Sequence, residues 1–310
     1  MQVANWSAPL GSAAQYLVGR RARQKNDESA ARELNAGEMN QVLPEGLSLQ
    51  WLGTAGFVLA YENFHLVIDP HLSRYSLRTV LSNHALKPQA ERLDRYVPEA
   101  DAILVGHTHF DHALDVPELA RRRGCKVYGS RSLHALMGLA DQADHAVAVE
   151  PGRVYSLGPF DVTFVRSLHS KLLLGLKVNG EGEITCDHLD HMHQGNYRCG
   201  QVFGVHIAVA GRTFYHQGSA NLIESELLHR DVDYLLCGIA GRGFTPNFTE
   251  RILTSLRPQT VIAHHHDNFF LPIDEPMGFS FNVNFGGFVE DVRRISADFE
   301  VRVFEPLQSL

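Results

Sequence analysis

Apolar segments in this chain recur in one order, twice. From Leu47, the runs LSLQWLG, FVLAY and HLVIDP are short, β-rich and separated by turn residues, the pattern of a meander. PQAERLDRYVPEA then reads as a helix, DAILVG as a buried strand, VPELARRRG as a helix, KVYGS as a strand and SLHALMGLA as a helix. The second half begins again with strands. RVYSLG with DVTFVRS, and VFGVHIAVAG with RTFYHQG, alternate like paired strands. LIESELLHR follows as a helix, VDYLLCGI as a strand and NFTERILTSL as a helix capped by Asn247. TVIAHHH is one more strand, and FVEDVRRISADF a closing helix. Strands first and alternation after, in each half, predict an α/β chain. Residues 46–310 would fold as a four-layer αββα sandwich of two mixed β-sheets flanked by helices.

Residues 1–45 have a different texture. AAQYLVGRRARQKNDESAARELNAG is polar and helix-prone, and LPEG ends it. Such an extension can pack on the body, mediate self-association into a homo-oligomer, or stay mobile. The net charge of -7 argues against a nucleic-acid partner, which normally requires a basic face. No apolar run reaches the roughly 18 residues of a membrane span. The four cysteines are widely spaced, none forms a CxxC pair, and no secretory signal is visible, so a cytoplasmic location is expected.

The chemistry concentrates in VGHTHFDHA. His107, His109, Asp111 and His112 directly follow the strand DAILV, and loops on rigid strands are where catalytic groups gather. Neutral imidazoles and a carboxylate suit zinc and related metals, with manganese and iron as alternatives. In an extended loop His107 and His109 can point one way while Asp111 and His112 turn toward a neighbouring position, which would serve two adjacent metals. The plain alternative is a loop with incidental histidines.

HTHFDH is an HxHxDH motif, and with it the sequence resembles the metallo-β-lactamase fold superfamily of metal-dependent hydrolases. The resemblance runs from about Leu47 to the end. Within the superfamily it is most similar to the branch of ascorbate-phosphate lactonase-like and acyl-ethanolamine phospholipase D-like proteins. The resemblance implies that His107 and His109 hold a first metal with His169, from RSLHSK. It implies that Asp111 and His112 serve a second metal with a histidine of HHHDNFF. His265 fits that place best, with His264 as runner-up, and strand alternation would let only one of them ligate. Asp69, at the end of the opening hairpins, would support the ligand loops.

One position departs from the pattern. Where the superfamily carries an aspartate that bridges both metals, RTFYHQG is followed by Ser219. The site would then be mononuclear, or dinuclear with hydroxide or substrate as the bridge, or completed by His216. CDHLDHMHQGNYRCGQ, residues 186–201, holds His188, His191 and His193, and reads as a pocket wall in a variable loop. In it, Tyr197 and Arg198 would either orient an anionic group or lie in an exposed loop. The C-terminal phenylalanines, Phe269, Phe270, Phe279, Phe281, Phe285 and Phe288, are expected mostly in the core, some walling the last ligand.

The function these residues imply is hydrolysis of an ester, lactone, amide or phosphodiester by metal-activated water, on a small-molecule or lipid-like substrate. Asp111 would orient the nucleophile and shuttle its proton, and His265 would stabilise developing charge. Two alternatives stand beside it: a di-iron redox enzyme on the same fold, and a non-catalytic metal-binding relative.

Overall fold

Thirteen strands make two mixed sheets in the computed structural model, which describes residues 20–39, 43–171, 178, 180–276, 278–280 and 283–310. The first sheet holds β1 (Ser48–Trp51), β2 (Phe57–Tyr61), β3 (Phe64–Ile68), β4 (Ala102–Leu104), β5 (Lys126–Gly129) and β6 (Ala146–Ala148), in chain order. β1 to β3 pair antiparallel, and β3 to β6 pair parallel. The second sheet repeats the scheme. β7 (Val154–Leu157), β8 (Phe160–Ser167), β9 (Val202–Val209) and β10 (Arg212–Gln217) are antiparallel. β11 (Tyr234–Gly238), β12 (Thr260–His264) and β13 (Glu300–Val303) continue from β10 in parallel.

Local chemistry explains the change of sense. β2 and β3 are joined by Glu62 and Asn63, both left-handed at φ 51° and 63°, and β9 and β10 by Ala210 and Gly211, at 51° and 71°. Two-residue turns of that hand match the strand twist and force an antiparallel return. Parallel neighbours instead need a crossover, and helices such as Val116–Arg123 and Phe248–Leu256 supply it. Leu49, Trp51, Phe57, Phe160, Phe164, Phe214 and Tyr234 fill the space between the sheets, and two further apolar clusters lie under the outer helices. With both faces covered, β11 and β12 are buried at every position.

Several local expectations change. LIESELLHR yields only a 3₁₀ turn over Glu224–Glu226. Glu224 is paired there with Arg251, and Leu222 and Leu227 reach the core while Leu228 stays 83% exposed. Asn247 does precede the helix Phe248–Leu256, but its backbone is left-handed and its side chain makes no cap bond. The strand of TVIAHHH stops at His264, because His265 turns to φ 57°. The closing helix spans Phe285–Ile295, and β13 follows it unannounced. Residues 20–39 pack on the body: Asp27 Oδ1 accepts the Gly286 N–H at 2.8 Å, and the Leu34 carbonyl accepts the Val303 N–H at 2.9 Å. Residues 1–19 and 40–42 of the extension, and Phe281, lie outside the described residues. Among those described, no helix is long and apolar enough to cross a membrane.

Candidate metal centre

Asp69 ends the β3 segment in a left-handed conformation, φ 42°, and its carboxylate joins two parts of the HTHFDH loop. Oδ1 accepts the Gly106 N–H at 2.7 Å, and Oδ2 accepts the His112 Nδ1–H at 2.8 Å. A Cβ on Gly106 would lie 3.2 Å from both Asp69 Oδ2 and the Phe203 carbonyl, so the approach favours glycine. After β4 the chain runs extended to His109, which begins a single helical turn over Phe110–Ala113. That turn carries Asp111 and His112 round to a second position. Thr108, between the two histidines, is pinned from above: its N–H goes to Cys199 O at 3.0 Å and its hydroxyl to Arg198 O at 2.6 Å.

The second half brings two histidines to the same place. His169 follows β8, and its Nδ1 donates to the Ser170 carbonyl at 2.7 Å, which leaves Nε2 with its lone pair. His265 follows β12, its N–H held by the Thr54 carbonyl at 2.8 Å. Two groups of donors result: His107, His109 and His169, and Asp111, His112 and His265, each with ligand atoms within 4.8 Å of one another. The two groups abut, because the His107 and His112 rings lie 3.9 Å apart between centroids. Asp69, His107, His109, Asp111, His112, His169 and His265 thus converge from both sheets.

The donor set suits a divalent cation. His107 Nε2 and His109 Nδ1 face each other at 3.1 Å, a contact that an ion would relieve. Burial, then the neighbouring His112 and His109, drive the His107 imidazole well below its usual range, and burial, then His109, push His169 down to about 3. Neutral imidazole is the ligating form. Burial would raise the Asp111 carboxyl, but His112 and then His265 outweigh it and hold it well below the usual carboxylate range. His112 is lowered by burial yet raised overall by Asp69 and Asp111. Its Nδ1 is committed to Asp69, so Nε2 is the atom left to face a metal, in a carboxylate–histidine pair of the kind that orients metal ligands.

Other candidates go elsewhere. His216 Nε2 donates to the Ala55 carbonyl at 2.8 Å, and its ring stacks on His264 at 5.0 Å, both edge-on to Phe57 in the inter-sheet core. His266 stacks on Trp51. His264 and His266 thus lie in the core, and the left-handed turn at His265 sends that residue to the cluster. Ser219 is buried, and its hydroxyl accepts the Ser170 N–H at 3.0 Å. In the 186–201 loop, Leu189, Asp190 and Tyr197 wall a cavity of about 420 Å³ whose lining includes none of the six donors. Tyr197 is buried against that cavity and is not an exposed loop residue.

Sequence reasoning missed a brace behind the site. Arg74 and Asp267 form a buried ion pair at 2.8 Å, and Asp267 Oδ1 accepts the N–H of Thr54, whose carbonyl holds His265. His71, beside Phe110 and Phe269, is buried with neither ring nitrogen bonded. Phe269 also packs on His265 at 5.6 Å, the aromatic wall expected there.

The fold and the convergent site define a metallo-β-lactamase-type metal-dependent hydrolase, and comparison with known proteins agrees. Residues 65–266 match the Beta-lactamase superfamily domain, and the chain belongs to that superfamily. It is 30% identical over 232 residues to a metal-dependent hydrolase of Anaeromyxobacter sp. (strain K), across 71% of this chain and 74% of that one. A metal-dependent hydrolase of Carboxydothermus hydrogenoformans is 28% identical over 229 residues, across 72% of this chain and 86% of that one. In structure the chain is similar to Igni18, a metallo hydrolase from Ignicoccus hospitalis, with TM-score 0.56, 19% identity and coverage of 85% and 97%. CmlA, a diiron β-hydroxylase from Streptomyces venezuelae, gives TM-score 0.56 at 16% identity, over 87% of this chain and 55% of that one. These two likenesses establish the fold.

Proposed function

We propose that the chain hydrolyses an ester, lactone, amide or phosphodiester bond in a small or lipid-like substrate, with zinc as its metal. His107, His109 and His169 are the ligands of the first ion; Asp111, His112 and His265 are those of a second, more weakly held one. The observation that carries the reading is the meeting of these two donor groups, contributed by both sheets, at one point. A bound zinc ion would acidify water to a nucleophile at neutral pH and polarise the accepting oxygen.

The chain's own residues supply the rest. Asp111 Oδ2 lies 3.2 Å from His265 Nε2 and 3.7 Å from His112 Nε2, ionised and ready to orient a water and take its proton. Where the second position is empty, His265 donates to the oxygen on which charge develops. Phe269 and Phe110 give that side an apolar wall suited to an acyl or alkyl portion. The net charge of -7 speaks against a nucleic-acid phosphodiester.

The likeness to CmlA supports one rival, a di-iron redox enzyme. Against it stands the donor set, in which one carboxylate accompanies five imidazoles; such nitrogen-rich sites suit zinc. The deciding experiment is elemental analysis of purified wild type and His169→Ala, followed by an ester and phosphodiester panel with added zinc, manganese or iron. Metal content indifferent to His169→Ala would sink the ligand assignment. Oxygen consumption with iron, and no hydrolysis with any metal, would favour the rival.

A further inference from the structure

The loop whose end holds Thr108 carries a second group of metal-capable side chains, and it is built rather than loose. Ile184 N–H donates to Ser132 Oγ at 2.8 Å, Met192 is fully buried, and its carbonyl accepts the Leu86 N–H at 3.0 Å. Between these anchors the chain forms 3₁₀ turns over Leu189–His191 and Gln194–Asn196. The Asp190 N–H is capped by His188 Nδ1 at 3.1 Å, and Asn196 Nδ2 donates to the His191 carbonyl at 2.7 Å. The fold of the loop returns His191 to Cys186 and Asp187.

We propose that Cys186, Asp187 and His191 form a surface site for a soft or borderline divalent cation, separate from the metal centre between the sheets. Their ligand atoms lie within 4.8 Å of one another, and His191 Nδ1 is 3.1 Å from Asp187 Oδ1. Thiolate, imidazole and carboxylate with water as a fourth ligand make an ordinary coordination set for zinc or cadmium. The thiol now donates to the His188 carbonyl at 3.3 Å, and deprotonation on metal binding exchanges that bond for one to the ion. Both Asp187 and His191 are exposed, so the ion enters from solvent.

The position of this site gives it a consequence. The loop it clamps ends at Arg198 and Cys199, whose carbonyls hold Thr108 between His107 and His109. A cation bound at Cys186 therefore adds one more tie to the segment whose end holds the main ligand loop.

Sulfur gives a signal that the main centre, with nitrogen and oxygen donors only, does not. Protein stripped with a chelator is titrated with cadmium alone, and the ultraviolet thiolate-to-cadmium charge-transfer absorption is followed. The other cysteines, Cys125, Cys199 and Cys237, are buried, with burial raising their thiols to about 11, 12 and 12. One equivalent of band-forming cadmium per chain is expected in wild type and none in Cys186→Ser. His191→Gln, at a side chain 66% exposed and so safe for folding, should weaken that binding at least about 10-fold. No band in wild type, a band that survives Cys186→Ser, or unchanged affinity in His191→Gln would each overturn the site.

Discussion

Ser219 accepts the backbone N–H of Ser170 through its hydroxyl, at 3.0 Å. The position where the superfamily resemblance leads one to expect a bridging aspartate thus serves to hold the loop of His169. Asn221 helps, with Nδ2 donating to the His169 carbonyl at 3.3 Å. Gln217 Nε2 in turn fixes that turn through the Ser219 and Asn221 carbonyls, both at 2.8 Å. A neutral hydroxyl engaged in this way contributes no charge between two cations. One tightly held metal per chain is therefore expected in wild type and two in Ser219→Asp. Elemental analysis on a Cys186→Ser background checks this without a count from the surface loop. Two tightly held metals in wild type would mean that a solvent or substrate bridge suffices.

Asp69 offers a sharper probe of the second position. Asp69→Asn keeps a side-chain oxygen for the Gly106 N–H but removes the charge that orients His112. Loss of such an outer partner typically lowers metal affinity about 10–100-fold. The loss should fall on the ion at Asp111, His112 and His265, and spare the ion at His107, His109 and His169. Competition with a chromophoric chelator, which resolves a tight and a weak ion, reads the difference. Equal weakening of both would show that Asp69 holds the whole loop rather than one ligand.

Behind the site, the Arg74–Asp267 pair is expected to act as a structural brace. Both side chains are about fully buried, at 1% and 2% exposure, and removing one partner from such a pair costs about 3–5 kcal/mol. Gly53 lies against it: a Cβ there would sit 2.0 Å from Arg74 Nη2. Arg74→Met should lose stability of that order in urea unfolding, and should lower metal affinity through Thr54 and His265. A cost below about 1 kcal/mol would place water beside Asp267 and remove the brace from the account.

Much of this arrangement was legible in the chain because the underlying signals are local. Alternation in RVYSLG, DVTFVRS, VFGVHIAVAG and RTFYHQG and the helix–strand order elsewhere give both sheets, since burial on one face or two imposes those periods. HTHFDH declares itself by density and by its place after DAILV. The strands AVA at β6 and EVRV at β13 carried no clear pattern, being short edge pieces fixed by pairing with β5 and β12. Parity along β12 allowed only one of His264 and His265 to reach the cluster, and His265 lies there. The choice between them rested on the left-handed turn at His265, which depends on Thr54 some 200 residues earlier and leaves no local mark. Arg74 and Asp267 were hidden for the same reason: a pair distant in sequence shows only once the fold joins it.

Away from the metal centre, His206 and His229 stack face to face at 3.8 Å with rings 7° from parallel. Burial, and then His229, push His206 down to about 4 from its usual 6.5, and burial lowers His229 as well. The folded chain keeps the pair neutral where the unfolded chain takes up protons. The unfolded state therefore binds more protons below about pH 6.5, and stability falls as pH drops from there toward 4. A fully buried group would lose about 1.4 kcal/mol per pH unit across that window. Partial exposure of both rings reduces this to roughly 0.5–1 kcal/mol per unit. His206→Phe preserves a ring to stack and removes the proton site. Unfolding free energies of the two proteins should run parallel above pH 7 and separate below 6.5, the variant falling less steeply. Parallel curves down to pH 4 would show that the stacked pair takes up its protons as readily folded as unfolded.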